Sequence, residues 1–247
     1  MSDNRVDLKR EFTEGIRGGI PICLGYIAVS FAFGIQATEA GLTPFQAAVM
    51  SLTNVTSAGQ FASLDLIARQ GALLELAFVQ FIINLRYMLM STALTQKLSQ
   101  RITTFQRMKI AYGVTDEIFG VSVLRSGNLQ PVFSYGIILI SVFGWVLGTT
   151  LGAIAGEILP ARLISALGVA IYGMFIAIII PETKKSRAVL AVVAGAFALS
   201  TLFTYAPVLS GISSGFRIII ITILIAGVAA FLAPVPDHGA EEKGGAS

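Results

Sequence analysis

The stretch VFSYGIILISVFGWVLGTTLGAIAG, residues 132–156, carries no charged side chain and decides the class of protein. An α-helix rises about 1.5 Å per residue, so roughly 20 apolar residues cross the hydrocarbon core of a bilayer, which is about 30 Å thick. Similar stretches lie at about 18–38, 72–96, 163–180, 188–206 and 216–233. The sequence therefore predicts an all-α integral membrane protein, with these six segments as ordinary crossings.

The composition supports a membrane protein and excludes several other classes. Of the 247 residues, 55% are hydrophobic and 13% are charged, and the mean hydropathy is +0.79. Soluble domains have roughly 25% charged residues. The net charge of +3 comes from basic residues between apolar stretches, as in cytoplasmic loops, so nucleic acid is not an expected partner. Cys23 and His238 are single residues of their types, so neither a disulfide nor a Cys/His zinc site is expected, and no cofactor is expected.

Two further hydrophobic segments are interrupted in the middle by polar residues. Segment 45–67 contains the run TNVTSAGQ from Thr53 to Gln60, and segment 110–124 contains Thr115-Asp116-Glu117. Half-segments of about ten residues rise only about 15 Å, half the hydrocarbon thickness. A re-entrant chain would turn at such an interruption near the midplane. The alternative for segment 45–67 is a continuous polar-lined helix with Gly59 as a packing residue, and segment 110–124 is short for a hairpin.

The placement of Lys and Arg favours two re-entrant segments, because short cytoplasmic loops are enriched in these residues. If all eight segments crossed once with the N-terminus inside, a basic cluster would lie outside, made of Lys97, Arg101, Arg107 and Lys109. If both interrupted segments are re-entrant, that cluster shares the cytoplasmic side with both termini, Arg125 and the loop Lys184–Arg187, and Arg69, Arg162 and Arg217 lie outside. We therefore predict seven or eight hydrophobic segments, one or two of them re-entrant or broken.

The chain is predicted to form one membrane domain. Residues 1–17 mix acidic and basic residues and form a cytoplasmic lead-in segment that is not cleaved. Residues 18–233 form a single transmembrane transport domain, and residues 234–247 form a polar C-terminal tail. No internal repeat is apparent. The motif GISSG at 211–215 matches a nucleophile elbow, but it lies between hydrophobic helices and the sole histidine is in the tail, so no enzyme is predicted.

The run from Thr53 to Gln60 is the first candidate site. Backbone groups freed by a helix break at membrane depth need polar partners, so such breaks line cavities, as they do in secondary transporters. The alternative is that these small and hydroxyl residues pack helices together. With one polar residue of the next helix, the predicted substrate-binding residues are Asn54, Thr56, Ser57, Gly59, Gln60 and Asn84.

The segment 72–96 combines a polar face with a charge at membrane depth. Polar residues recur there every three or four positions and share one helical face: Gln80, Asn84, Tyr87, Ser91 and Thr95. Arg86 is about 200° from Asn84 around the helix, so it is predicted to point away from that face. The helix is then enclosed by protein.

Arg86 needs a partner, because it lies about 16 Å along the helix from Lys97 and a charge at that depth costs at least about 2.5 kcal/mol. The candidate carboxylates are Asp116, Glu117 and Asp65, and we predict Asp116. The pair is either a structural salt bridge or a gate that opens and closes a pathway. If Asp116 or Glu117 were buried without such a partner, its carboxyl group would instead be suited to proton exchange. Gating or coupling is therefore assigned to Arg86, Asp116 and Glu117.

Four motifs resemble those of the AzlC-type branched-chain amino acid permease family. They are Gly15-Ile16-Arg17-Gly18-Gly19-Ile20-Pro21, Thr56-Ser57-Ala58-Gly59-Gln60-Phe61, Asn84-Leu85-Arg86-Tyr87 and Thr115-Asp116-Glu117. The resemblance covers nearly the whole chain. Two positions depart from the family pattern, since Thr56-Ser57 stands where smaller residues are expected and Tyr87 where histidine is common.

The resemblance implies a function. A protein of this family exports branched-chain or other hydrophobic amino acids across a bacterial inner (plasma) membrane, acting with a small AzlD-type membrane subunit. A multi-pass secondary transporter of this kind is therefore expected, with exchange against protons as a further expectation. The alternative is a non-transporting membrane scaffold or regulatory subunit, in which the polar run only packs helices.

Overall fold

The computed structural model describes residues 7–98, 102–160, 186–206 and 211–232, together with residues 162, 176, 179–181, 183–184 and 209. In this part of the chain the regular elements are helices, and the β-pairing is one isolated bridge between Leu98 and Leu129. The all-α prediction is confirmed for these residues. Segment 163–180 lies mostly outside them, so the total of seven or eight segments stays a prediction. Residues 234–247 also lie outside them.

Among the described residues, five helices are long and apolar enough to cross a membrane: α1 (Leu8–Glu39), α4 (Leu73–Lys97), α7 (Pro131–Ile158), α8 (Arg187–Tyr205) and α9 (Ser214–Leu232). Four short helices lie between them in two pairs, which are α2 (Pro44–Thr53) with α3 (Ala58–Ala68) and α5 (Thr104–Tyr112) with α6 (Asp116–Leu124). The chain divides into two compact units, Met1–Met174 and Phe175–Ser247. In the second unit, α8 and α9 pack against each other, with Gly195 facing Ile225.

Helices α1 and α7 form the scaffold of the first unit, and they run parallel. The contacts advance together along both helices, from Gly15 against Phe133 to Gly152 against the backbone of Phe31. Glycines of α7 recur every four residues on this face, at Gly144, Gly148, Gly152 and Gly156. A Cβ at Gly152 would overlap the Phe31 backbone, so the close approach requires glycine. We call the end where α1 and α7 begin the near end, and the other the far end.

Helix α4 runs in the opposite direction. The Lys97 ammonium at its last residue donates to the carbonyls of Val123 and Arg125. Arg125 in turn pairs with Glu11 and Glu14 in the first turns of α1, at 2.9 and 2.8 Å. Helix α4 therefore ends at the near end of the scaffold.

Helices α2 and α3 form a hairpin, here called the far hairpin, that enters and leaves at the far end. Ala47 near its start and Leu64 near its finish belong to one apolar cluster with Phe33, Ala37 and Ala153 of the scaffold. Its turn, residues 54–57, lies deeper along the scaffold, where Gln60 meets Trp145. Segment 45–67 is therefore a hairpin of two short helices and not one continuous helix, which agrees with the interruption at Thr53–Gln60; its re-entry into the membrane stays a prediction.

Helices α5 and α6 form the near hairpin, which enters and leaves at the near end. Its turn, residues 113–115, contacts Ile138 through Gly113 and Tyr26 through Thr115. Near its last residue, the carbonyl of Val123 accepts a hydrogen bond from Lys97 at the near end. The segment begins at Thr104, earlier than the predicted residue 110, because Thr103 and Gln106 form a capping box that starts a helix inside the presumed basic loop. The exposed Lys109 ammonium stacks over the Phe105 ring at 4.5 Å.

The first span also begins earlier than the sequence predicts. Asp7 caps α1 by accepting from the backbone N–H groups of Lys9 and Arg10. Residues 8–17 of the predicted lead-in are therefore the first turns of the same helix that forms the first span. Their charged side chains lie at the near end of the scaffold, where Arg10 pairs with Glu14 at 2.8 Å.

Candidate functional site

The turns of the two hairpins meet midway along the scaffold, beside the middle of α4. The hydroxyl of Tyr112, just before the near turn, donates to the carbonyl of Leu52, just before the far turn. Arg86, at the centre of α4, joins the near hairpin through Asp116. Two half-helices, α3 and α6, begin at this level, so their N-terminal partial positive charges lie near the same region.

The start of α3 has no side-chain cap. Ser57 has φ +50°, a backbone conformation that non-glycine residues rarely adopt, and its side chain does not cap the helix. Asn54 and Ser57 are partly exposed. Backbone N–H groups at an uncapped helix start attract anionic groups, such as the carboxylate of an amino acid. Of the predicted substrate-binding residues, Asn54, Ser57 and Asn84 are partly exposed, whereas Thr56, Gly59 and Gln60 are buried.

Gln60 is enclosed by protein. Its side chain is 0% exposed, and the amide oxygen accepts from Trp145 Nε1 at 2.8 Å. The amide nitrogen donates to Ser51 Oγ at 3.1 Å, and Ser51 is hydrogen-bonded to Thr149 at 2.7 Å. These bonds attach both halves of the far hairpin to α7. A substrate contact to Gln60 requires that one of them opens.

A second polar network joins the far hairpin to α4. Thr56 donates to Asn84 Oδ1, and Asn84 donates to Gln80 Oε1 at 3.1 Å. Gln80 donates to the carbonyl of Gly59 at 2.7 Å and to Ser63 Oγ at 2.7 Å. Gly59 lies so close to Gln80 that a Cβ there would overlap the Gln80 side chain. The polar face predicted for α4 is therefore directed at the far hairpin in its first half.

Arg86 pairs with Asp116, which confirms the predicted partner. Its Nη1 lies 2.6 Å from Asp116 Oδ2, and its Nη2 donates to the Tyr87 hydroxyl at 3.2 Å. The prediction that Arg86 points away from the polar face is wrong, because its long side chain returns the guanidinium to Tyr87. Both charged side chains are about 40% exposed. Asp65, the third candidate, pairs with Arg69 at 3.2 Å.

Glu117 belongs to a contact that sequence reasoning missed. The Tyr26 hydroxyl of α1 donates to Glu117 Oε2 at 2.6 Å and lies 2.7 Å from Thr115 Oγ1. The Tyr26 ring packs edge-on against Trp145, with centroids 5.2 Å apart. Tyr26 and Trp145 thus link the two hairpins through the scaffold. The available signal was their polar atoms, since a buried Tyr or Trp usually finds a hydrogen-bond partner.

An open apolar groove of about 500 Å³ lies next to the contact between the hairpins. It is lined by Leu52, Met108, Lys109, Tyr112, Tyr135, Ile138, Leu139 and Val142. Leu52 and Tyr112 belong to both the groove and the contact between the hairpins. Apolar side chains of a ligand would find hydrophobic surface here, while charged groups would find partners at the turns. In the described part of the chain, no three His, Cys, Asp or Glu residues cluster in a way that could hold a metal ion.

Comparison with known proteins gives a consistent set of similarities. The family model described as AzlC protein matches residues 21–159, which include both hairpins and α4. An uncharacterized membrane protein of Archaeoglobus fulgidus is 36% identical over 191 residues, covering 76% of this chain and 84% of the relative. The inner membrane protein YgaZ of Escherichia coli is 30% identical over 238 residues, covering 92% and 94%.

A more distant relative has a named transport role. The branched-chain amino acid transport protein AzlC of Bacillus subtilis is 21% identical over 171 residues, covering 68% of this chain and 66% of the relative. No solved structure matches.

Proposed function

The chain belongs to the AzlC family, and from this premise we propose that it is a secondary transporter that exports branched-chain or other hydrophobic amino acids across a bacterial inner membrane. The family is related to branched-chain amino acid transport, and five helices in the described part of the chain could span a membrane. Export, proton coupling and a small AzlD-type membrane subunit are parts of the proposal.

The Arg86–Asp116 pair beside the uncapped start of α3 is the observation that carries the proposal. An amino acid is a zwitterion, so its site needs a positive group for the carboxylate and a negative group for the ammonium. Arg86 and the α3 N-terminus supply the first, and Asp116 and Glu117 supply the second. The two charged side chains are about 40% exposed, so a substrate can reach them.

The apolar groove supports a hydrophobic substrate. Leu52 and Tyr112 connect it to the turns, so a branched side chain can lie on Ile138 and Val142 while the charged groups lie at the turns. Discrimination among apolar side chains is weak, since one methylene is worth about 1–3 kcal/mol. We therefore propose a range of hydrophobic amino acids rather than one.

Proton exchange is proposed for Asp116 or Glu117. Entry of a substrate ammonium competes with Arg86 for Asp116, and protonation of a carboxyl at this depth would release the same contact. Loss of the Arg86–Asp116 ion pair, by competition or by protonation of Asp116, would weaken the attachment of the near hairpin to α4. Coupling would follow from this competition.

Flux of labelled amino acids in proteoliposomes tests the proposal. Purified protein is reconstituted with and without the proposed small AzlD-type membrane subunit. Efflux of labelled valine, leucine and methionine is then measured with and without an imposed proton gradient. We expect efflux of these three, acceleration by the gradient and no efflux of labelled glutamate. Absence of flux for every hydrophobic amino acid in the presence of the subunit would contradict the proposal.

A non-transporting scaffold or regulatory subunit is the second candidate. The observation that favours it is the bonding of Gln60, Thr56 and Gln80, whose polar groups contact protein rather than open space. In that case substitutions at the turns would disturb assembly of a complex and leave amino acid flux unchanged.

A further inference from the structure

A spacing of residues recurs in the two helix-and-hairpin segments of the first unit. The positions Tyr26, Ser30, Thr43, Phe45, Gln46, Val55 and Thr56 recur as Tyr87, Ser91, Thr103, Phe105, Gln106, Val114 and Thr115. The offset is 61 residues for the first two positions, 60 for the next three and 59 for the last two. Only two single-residue gaps are therefore needed to align the two segments.

The recurring residues hold equivalent structural positions. Thr43 and Thr103 each start a hairpin through a capping box with a glutamine three residues later. Thr56 and Thr115 each lie in the turn before the second half-helix. We call α1 with the far hairpin the first repeat, and α4 with the near hairpin the second repeat.

The two repeats are inverted relative to each other. Helices α1 and α4 run in opposite directions, since α4 ends where α1 begins. The far hairpin enters from one end and the near hairpin from the other. Transporters built from inverted repeats place substrate between the repeats, and access alternates as one repeat moves against the other.

The contacts between the repeats are reciprocal. Tyr26 of the first repeat contacts Thr115 of the second, with its hydroxyl 2.7 Å from Thr115 Oγ1. The equivalent Tyr87 of the second repeat contacts Thr56 of the first, with its hydroxyl 3.5 Å from the Thr56 carbonyl. Each tyrosine therefore contacts the hairpin of the other repeat.

The two equivalent contacts are unequal. Tyr26 is 7% exposed and has a second short bond to Glu117, whereas Tyr87 is half-buried and has a long bond to a backbone carbonyl. The Thr56 hydroxyl is occupied by Asn84, also on the second repeat. The near hairpin is thus held closely to α1, while the corresponding contact of the far hairpin to Tyr87 is loose.

We propose that Tyr26 and Tyr87 are equivalent gate residues of an inverted repeat, and that a second state of the protein exchanges their contacts. In the present state Tyr26 holds the near hairpin and closes the site towards the near end. In the second state Tyr87 binds the Thr56 hydroxyl, Thr56 releases Asn84, and Tyr26 leaves Thr115. This inference rests on the proposed transport function and adds to it the residues that set access to each side.

Distances between spin labels test the exchange without any substrate. In a Cys23→Ala background, one pair of labels joins Lys9→Cys of α1 to Thr104→Cys of the near hairpin, and another joins Ala68→Cys of the far hairpin to Ile158→Cys of α7. All four positions are exposed and lie at the ends of their helices. The first pair reports opening at the near end and the second reports opening at the far end.

Tyr26→Phe and Tyr87→Phe are matched variants, since each removes one hydroxyl. Loss of one net hydrogen bond changes the ratio of two states roughly three- to tenfold. We expect Tyr26→Phe to lengthen the near-end distance distribution and shorten the far-end one, and Tyr87→Phe to do the reverse. Tyr205→Phe, which removes an exposed tyrosine hydroxyl on α8, outside both repeats, is expected to change neither.

Shifts in the same direction for both variants, or no shift for either, overturn the inference. If Tyr26→Phe does not fold, Thr115→Val together with Glu117→Gln weakens the same two contacts from the hairpin side, and Tyr87→Phe must still shift the distances by itself. Opposite shifts in a protein that transports no amino acid would contradict the proposed function and leave the repeat intact. Amino acid flux without opposite shifts would contradict the gate residues alone.

Discussion

Arg86 Nη1 lies 2.6 Å from Asp116 Oδ2, and this ion pair joins the centre of α4 to the first turn of α6, the second helix of the near hairpin. The two residues are 30 positions apart in the sequence and belong to elements that meet only because the near hairpin is re-entrant. Their pairing brings the charge of α4 to the level at which both hairpins turn. It therefore links the topology of the chain to the chemistry of the site.

Neutralising one member of this pair is expected to be worse than neutralising both. Removal of one partner of a fully buried pair costs about 3–5 kcal/mol, and exposure of about 40% reduces this to about 1–2 kcal/mol here. Arg86→Gln and Asp116→Asn should each lower the thermal unfolding temperature more than the double variant does. Additive losses in the double variant would show that the pair is not coupled. A double variant that is as stable as the unmodified protein but transports nothing would show that the pair also acts in transport.

Gly59 is expected to tolerate no side chain, because a Cβ there would overlap Gln80 Oε1 and lie 2.8 Å from Thr56 Cγ2. Gly59→Ala should destabilise the protein by about 1–3 kcal/mol, as overpacking does, with partial recovery on adding Gln80→Ala. Gly120→Ala is the matched control, since a Cβ at this helical glycine meets nothing within 4 Å. The control should be neutral or slightly stabilising in the same unfolding measurement. Equal losses at both glycines would contradict the close packing of α3 on α4.

Asn54 and Ser57 are expected to affect substrate affinity more than stability. Their side chains are partly exposed at the far turn, and a hydrogen bond to a charged group is worth about 1.5–3 kcal/mol. Asn54→Ala or Ser57→Ala should therefore weaken binding roughly tenfold or more in an equilibrium binding measurement, with little change in unfolding temperature.

Substitution of Gln60 distinguishes a substrate-binding role of this residue from a helix-packing role. Its amide bonds to Trp145 and Ser51, so Gln60→Ala should lower the unfolding temperature by removing bonds between the far hairpin and α7. A tenfold loss of affinity with unchanged stability would support the sequence-based assignment of Gln60 as a substrate-binding residue. The reverse pattern would support packing.

The sequence predicted those features that carry an energetic penalty at membrane depth. The Arg86–Asp116 pair was predictable because an unpaired charge there is costly, and the re-entrant far hairpin because a crossing would put Lys97 and Lys109 outside. Tyr26 and Trp145 were missed because aromatic residues in an apolar stretch carry no charge and fit a lipid-facing or core position equally well. Their partners come from distant segments, so spacing along one helix does not reveal them.

The start of the near hairpin was missed for a different reason. Basic residues around Arg107 and Lys109 indicate a loop, yet Thr103 and Gln106 form the capping pattern that begins a helix, as Thr43 and Gln46 do in the far hairpin. The same pair of capping patterns is the clearest sequence trace of the repeat. A basic residue at the membrane end of a half-helix is compatible with both a loop and a capped helix, so charge alone does not locate the start of the near hairpin.

The near end is expected to face the cytoplasm. It carries a basic cluster that includes Arg10, Lys97 and Arg125, whereas the far end carries Arg69 beside Asp65 and Glu75. Because Lys and Arg in short loops favour the cytoplasmic side, this asymmetry orients the whole first unit. Single cysteines in a Cys23→Ala background provide the measurement, with Thr104→Cys at the near end and Ala68→Cys at the far end.

A membrane-impermeant maleimide should label Ala68→Cys in intact cells and Thr104→Cys only in inside-out vesicles. The reverse pattern would contradict either the orientation or the far hairpin, since a far hairpin that crossed the membrane would also exchange the sides of both cysteines. Labelling of both cysteines from one side would contradict a single crossing by α4, which lies between them. If the far hairpin crossed the membrane instead of returning, its two ends would lie on opposite sides, so Thr43→Cys at its start and Ala68→Cys at its end would be labelled from different sides. The hairpin places both at the far end, so both should be labelled in intact cells.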